Sequence, residues 1–284
     1  MSSIEVSGLK KSYGSREVLH GVSFRVEPGE VFALLGPNGA GKTTTVEILE
    51  GYRDRDEGSV EVLGADPARA GSEFRSRIGI VLQSSAVYPL LSVTEILELF
   101  AGYYANARSV DEVVSLAGLE EKRKSRVRTL SGGQLRRLDL ALALVGDPEL
   151  IFLDEPTTGF DPGARRQAWE TIRGLRELGK SILLTTHYME EAQALADRLA
   201  ILRDGRIVAT GSPRELLSGA EGVEIRYRRN GEEIVVATDE PTRVLHELTS
   251  EALANGFELE GIEVRRRSLE DLYLELTRAE AGVG

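Results

Sequence analysis

The stretch Gly36-Pro-Asn-Gly-Ala-Gly-Lys-Thr-Thr44 decides the reading of this chain. It fits the pattern G-x-x-x-x-G-K-[ST], with Gly36, Gly41, Lys42 and Thr43 at the fixed positions. Glycines let the backbone curl until successive N–H groups point into one concavity, which suits a polyphosphate. The expected phosphate cradle is therefore Gly36, Pro37, Asn38, Gly39, Ala40, Gly41, Lys42, Thr43 and Thr44. A helix opening near Gly41 adds its orphan N–H groups and the positive end of its dipole. Lys42 is placed to reach the β- and γ-phosphates, and the Thr43 hydroxyl to ligate Mg²⁺. The flanks agree: Val31-Phe-Ala-Leu-Leu35 reads as a buried strand and Thr44-Thr-Val-Glu-Ile-Leu49 as a helix.

Working outward, the bulk properties narrow the class. The 284 residues suffice for one large domain and a small one. A 41% hydrophobic and 29% charged composition is that of an ordinary globular chain. No apolar run approaches the roughly 20 residues needed to span a bilayer. The start, Met1-Ser-Ser-Ile-Glu-Val6, lacks the basic and apolar regions of a signal peptide. With no cysteine, disulfides and thiolate metal sites are excluded. His20, His187 and His246 lie too far apart in sequence to suggest a zinc motif. A net charge of −11 argues against general nucleic-acid binding.

Ile4 to Leu9, Val18 to Val26, Ser59 to Leu63 and Ile78 to Leu82 are expected strands. Ser92-Val-Thr-Glu95 is a capping box opening a helix through Leu99 toward Tyr104. Another helix runs from Ser109 to a terminating Gly118, and a long one follows Ser131. Leu150 to Leu153 and Ile182 to Thr185 are strand-length apolar runs, with helical spacing from Ala164 to Leu178 between them. Alternating strands and helices predict a parallel α/β core. Asp204-Gly205 and Asn230-Gly231 each mark a two-residue hairpin. After Gly211 a ββαβα pattern follows: Val223 to Arg229, Glu232 to Thr238, Pro241 to Ala254, Phe257 to Arg266 (one or two strands) and Ser268 to Leu276.

Two further stretches carry chemistry. Leu150-Ile-Phe-Leu-Asp-Glu155 is an apolar strand ending in two carboxylates. Asp154 is placed to hold Mg²⁺ through water, and Glu155 to take a proton from an attacking water. The plain alternative is an acidic strand end facing solvent. Leu130-Ser-Gly-Gly-Gln134 precedes a helix that Ser131 can cap, while Gly132 and Gly133 expose N–H groups at its start. Taken alone, that is better read as a glycine-rich helix cap.

Joined in order, these motifs resemble the ATP-binding subunit of an ABC transporter. The residues involved are Gly36 to Thr43, Gln83, Leu130 to Gln134, Leu150 to Glu155, Gly159-Phe-Asp161 and His187. The resemblance covers about residues 3 to 218, and the joint order is far more specific than any one motif. It implies a P-loop NTPase core of the ABC type, α/β in class, with a helical subdomain at about 84–147 and an antiparallel β region. A small α+β domain follows, giving boundaries of 1–218 and 219–284. The resemblance further implies that Tyr13 stacks on adenine and that Gln83 contacts Mg²⁺ and the attacking water. It implies that His187 touches the γ-phosphate, and that Ser131, Gly132, Gly133, Gln134 and Asp161 belong to the nucleotide site. Without the family, Tyr13 is a surface aromatic, Gln83 a polar strand end and His187 a satisfied histidine. Phe160 departs from the leucine that many relatives carry there; the change is conservative and bears on dimer packing.

By the same resemblance the chain hydrolyses ATP with Mg²⁺ as a homodimer closed through its ATP sites. It would drive an integral membrane permease from the cytoplasmic face of the membrane. The C-terminal ββαβα unit, with Ser268-Leu-Glu-Asp-Leu-Tyr-Leu-Glu-Leu-Thr277, is similar to the extension on exporters of drugs, polysaccharides and lipids. Residues 211 to 284 hold nine Arg against sixteen Asp or Glu, so no nucleic-acid partner is expected. The apolar loop Ser84-Ser-Ala-Val-Tyr-Pro-Leu-Leu91 has two readings: Val87, Tyr88 and Leu90 pin the helix near Ser92 to the core, or, as the resemblance implies, they line a groove that receives a short helix of the permease. Two rivals stand beside this expectation. One is a soluble ATPase of DNA repair or translation, for which the usual second cassette, long coiled coil or basic surface is missing. The other is a regulator without turnover, which would not need Glu155.

Overall fold

The computed structural model describes residues 2–81, 88–218, 223–229, 231–266 and 268–278. The chain divides into two compact units, 1–212 and 213–284. The first opens with β1 (Ile4–Tyr13), β2 (Arg16–Val26), β3 (Val31–Leu35), α1 (Lys42–Leu49) and β4 (Glu57–Val62). Then come α2 (Ser72–Ser76), β5 (Ile78–Val81), α3 (Val93–Ala101), α4 (Val110–Leu116) and α5 (Gly132–Leu144). The unit ends with β6 (Leu150–Asp154), α6 (Pro162–Glu177), β7 (Ser181–Thr186), α7 (Met189–Leu195), β8 (Arg198–Arg203) and β9 (Arg206–Gly211).

Six strands form the main sheet in the order β5-β6-β7-β3-β8-β9. All neighbours are parallel except β9, which returns antiparallel to β8 through Asp204-Gly205. Both turn residues have positive φ, 45° and 71°, as a two-residue hairpin between right-twisted strands requires. Every residue of β3 and β7 is buried. The unbroken apolar run of β3 and the Ile182 to Leu184 run of β7 follow from cover on both faces, not from the alternation of a half-exposed strand.

A second sheet, β2-β1-β4, is antiparallel. Ile4, Val6 and Val62 from it share one core with Phe32, Phe152 and Leu183 of the main sheet. Val46, Ile48 and Leu49 of α1 join that cluster, so the helix is held between the two sheets. β1 runs on to Tyr13, past the expected end at Leu9. Hairpin pairing with β2 extends it, Lys10 with His20 through Tyr13 with Arg16, and two ion pairs add support: Lys10 Nζ lies 2.7 Å from Glu57 and Lys11 Nζ 2.7 Å from Asp56. The capping box at Ser92 is present in both halves, and Gly118 sits at φ 61° just past α4. Helix α3 stops at Ala101, short of Tyr104. Helices α2 and α7 were not anticipated.

The second unit contains α8 (Pro213–Ser218), β10 (Val223–Arg229), β11 (Glu232–Thr238), α9 (Pro241–Asn255), β12 (Glu260–Arg266) and α10 (Leu269–Arg278). Its sheet is β11-β10-β12, antiparallel throughout. Phe257 to Arg266 thus yields a single strand. Helix α8 packs on α10, so the division falls six residues before the expected 218/219. Among the described residues, no helix is long and apolar enough to cross a membrane.

Candidate functional site

The loop after β3 is fastened at both ends. Gly36 N–H donates to the Thr186 carbonyl at 3.2 Å, and Gly205 N–H to the Ala40 carbonyl at 3.2 Å. Two glycines are dictated by space. A Cβ on Gly36 would collide with the Leu202 carbonyl. One on Gly41, whose φ is 107°, would lie 2.6 Å from Leu19 Cδ2 of β2. Gly41 is also the N-cap of α1 and offers no side-chain acceptor. The first N–H groups of that helix therefore keep their donor capacity for the loop's concavity.

Lys42 is 5% exposed, an extreme value for a lysine. Its Nζ donates to the carbonyls of Gly36 at 2.8 Å and Pro37 at 3.1 Å. It also stands 3.2 Å from Glu155 Oε1. Glu155 lies one residue past β6 with φ 47°, the left-handed region that non-glycine residues avoid. Its N–H reaches both the carbonyl of Thr185, at 3.1 Å, and the Thr185 hydroxyl, at 3.0 Å. These contacts hold the residue in that conformation. The other carboxylate oxygen accepts from Thr158 Oγ1 at 3.1 Å and lies 3.2 Å from His187 Nδ1, without hydrogen-bond alignment. Burial alone would raise the Glu155 pKa; Lys42, then His187 and Thr158, outweigh it and hold the carboxyl below its usual value. Asp154 Oδ1 accepts from Thr185 Oγ1 at 2.5 Å.

Lys42, Asp154, Glu155 and His187 thus meet at the carboxyl ends of neighbouring strands β3, β6 and β7, where open parallel sheets bind ligands. Thr43 is exposed and Thr44 half-buried at the start of α1. Tyr13 ends β1 40% exposed, with the Arg53 guanidinium 5.1 Å from its ring centroid. Gln83 and residues 84–87 lie outside the described residues. Ser131 caps α5 and forms both halves of a capping box with Gln134. Asp161 caps α6, accepting from Gly163 N–H at 2.8 Å and Ala164 N–H at 3.0 Å. Among the described residues, no hydrogen bond or ion pair joins Ser131 to Gln134 with Lys42, Glu155 or His187.

Three contributors escaped the sequence reading. Thr185 is the last residue but one of β7, after an apolar run, which is a weak signal. Thr158 sits inside the loop. Arg136 of α5 donates to the carbonyls of Pro156, at 3.2 Å, and Asp154, at 3.3 Å, tying the glycine-rich helix start to the carboxylate loop. Burial lowers the pKa of that guanidinium despite Asp139 beside it.

A protein-family model described as ABC transporter matches residues 19–158. The Nod factor export ATP-binding protein I of Rhizobium etli is 40% identical over 307 residues, covering 99% of this chain and 95% of its own. The protein of the same name from Paraburkholderia xenovorans is 45% identical over 229 residues, covering 79% and 75%. Among solved structures, an ATP-binding subunit of an ABC transporter superposes with TM-score 0.72 at 26% identity, covering 97% of this chain and 100% of its own. A dimeric ATP-binding cassette in a post-hydrolysis state, bound to ADP and Pi, gives 0.66 at 27%, covering 74% and 98%. With that likeness over nearly its whole length, the chain belongs to the ATP-binding subunits of ABC transporters and is an ATPase.

Proposed function

We propose that Lys42, Glu155 and His187 carry ATP hydrolysis in this subunit, and that the energy drives export of a drug, lipid or glycan-type compound through a separate permease. The loop from Gly36 to Thr44 would wrap the phosphates, with Lys42 between the β- and γ-phosphoryl oxygens and Tyr13 against adenine. Mg²⁺ suits the donors present, a Thr43 hydroxyl in the first turn of α1 and the Asp154 carboxylate at the end of β6, with Gln83 as a third and water completing the shell. When bound, the ion would neutralise charge on the phosphates. Phosphate would give Lys42 a stronger partner than Glu155, freeing that carboxylate. Glu155 would then take a proton from water as its oxygen bonds the γ-phosphorus and the bond to the bridging oxygen of ADP breaks. His187 would hold the γ-phosphate from the β7 side.

Among the described residues, Ser131, Gly132, Gly133, Gln134 and Asp161 make no hydrogen bond or ion pair to Lys42, Glu155 or His187 within one chain. In a head-to-tail homodimer, each copy's Ser131 to Gln134 would close the other's site. The permease would dock at Tyr88 and Leu90, 58% and 63% exposed beside the start of α3, which puts the subunit on the cytoplasmic face of the membrane. Export is favoured by the names of the relatives and by the C-terminal ββαβα unit; the same names count against a role in DNA repair or translation. Co-purification with a multi-spanning membrane protein tests that part.

The observation that carries the reading is the approach of Lys42 and His187 to the two oxygens of one carboxylate, each at 3.2 Å. Glu155→Gln should retain ATP and lose about 10²-fold or more in turnover. Turnover at the native rate by that variant overturns the assignment of the base.

A further inference from the structure

One backbone hydrogen bond past the end of β6, from Glu155 N–H to the Thr185 carbonyl at 3.1 Å, is the last between the loop of Glu155 and the strand leading to His187 among the described residues. The last rung pairs Asp154 with Thr185. Farther out, among the described residues, two polar links cross between the segments. One is the Glu155–His187 contact itself. The other joins Thr157 to Glu191 in the first turn of α7: Thr157 Oγ1 donates to Glu191 Oε1 at 2.7 Å. Both residues of this second link are fully buried, at 0% exposure.

Glu191 Oε1 also accepts the indole N–H of Trp169, on α6, at 3.1 Å. Its backbone N–H donates to the Tyr188 carbonyl at 3.2 Å. Oε2 is buried without a hydrogen-bond partner. A wholly buried carboxyl with an unmatched oxygen is a costly way to fill space, and an apolar side chain of similar volume would fill it at lower cost. The side chain is therefore better explained by what it holds in place than by stability.

We propose that Glu191 is a positioning residue for hydrolysis. It closes a ring that runs from Glu155 through Pro156 to Thr157, across to Glu191, back through Tyr188 to His187, and across again to Glu155. The ring fixes the separation of the carboxylate and the imidazole, and Trp169 fastens it to α6. Removing Glu191 leaves the two reacting side chains linked by their own contact, which substrate must disturb, and otherwise only through the Glu155 N–H bonds to Thr185, two residues before His187. The inference rests on the roles proposed above for Glu155 and His187.

Glu191→Ala, Glu191→Gln and Thr157→Val are compared with Glu155→Gln in the full chain, by steady-state ATPase kinetics. Displacement of a reacting group by 1 Å can cost about 10²-fold, so Glu191→Ala should lose about tenfold or more in kcat, with KM for ATP within about threefold. In Glu191→Gln the amide oxygen accepts from the same two donors and should restore kcat to within about threefold of native. Trp169 is the only tryptophan, so its emission reports the contact directly. Emission should shift and become more quenchable by acrylamide in Glu191→Ala, and not in Glu191→Gln. Thr157→Val should lower kcat as well and add little to Glu191→Ala, as expected of one shared contact.

A folded Glu191→Ala protein with native kcat, beside an inactive Glu155→Gln, overturns the inference and leaves the base assignment standing. Equal loss of kcat in the Gln and Ala variants also overturns it. If Glu191→Ala does not fold, unchanged kcat in Thr157→Val does so instead. Native turnover by Glu155→Gln overturns the base assignment, and this inference falls with it.

Discussion

Two helices in the first unit begin at glycine-rich turns, and they are built on opposite plans. Helix α5 supports itself: it has 13 residues, and Ser131 and Gln134 satisfy each other's backbone donors in a complete capping box. Helix α1 has 8 residues, an N-cap glycine without a side-chain acceptor, and three threonines and a valine in its first five positions. Short, β-branched and uncapped, it would not form alone. It also closes on Glu50, an acid at the negative end of the dipole. What holds α1 is the core between two sheets. The contrast teaches where each helix spends its donors. On the function proposed above, the N–H groups of α1 would be left for phosphate, whereas the start of α5 satisfies its own and would present its surface to a second copy.

Lys42→Ala should break the contrast most severely. It removes a buried cation aimed into the concavity, and charge-assisted hydrogen bonds are worth about 1.5–3 kcal/mol, so ATP affinity should fall about 10- to 100-fold. Equilibrium titration with a fluorescent ATP analogue measures this. Affinity near native would mean that the N–H groups alone bind the phosphates.

The other end of α1 gives the next effect. Burial, then the charges of Asp154 and Glu47, push the Glu50 carboxyl from 4.5 up to about 8. With the folded pKa raised, this group's contribution to stability is full below about pH 4.5 and is lost as pH rises toward 8, because the unfolded chain ionises first. Glu50→Gln removes that loss. The variant should match native stability near pH 5 and exceed it at pH 8.5 by on the order of 1–2 kcal/mol, after the cost of a buried amide. Thermal unfolding at the two pH values checks it, and a constant offset would contradict the buried acid.

Ser131→Ala should have the smallest effect on a single copy. Loss of the cap costs about 1 kcal/mol of stability. ATP affinity of the isolated monomer should not move, whereas turnover, which in the proposed dimer needs the second copy, should fall. If monomer affinity drops as it does for Lys42→Ala, the two helix starts are not different in kind.

How much of this was legible in the sequence depended on the range of the interaction. The hairpin at Asp204-Gly205, the capping box at Ser92 and the buried run of β3 are set by neighbours in sequence, and each stands where expected. The extension of β1 to Tyr13 was hidden because its polar residues carry no apolar alternation; it is held by hairpin pairing with Arg16 to His20 and by side-chain contacts of Lys10 and Lys11 to acids more than forty positions away. Arg136 and Thr185 were missed because each supports the carboxylate loop from another element.

The sequence by itself determined the phosphate loop, the order of the motifs and the alternation of strands and helices. Local backbone chemistry encodes these, and glycine spacing and apolar runs can be read without coordinates. Only the tertiary structure decided which charges are buried together. In Met189-Glu-Glu-Ala192 the two acids look equivalent, yet Glu190 is exposed and Glu191 wholly buried against Thr157 and Trp169. Burial of a carboxyl depends on which surfaces α6 and α7 present to each other, and that is fixed by packing across the fold rather than by neighbours along the chain.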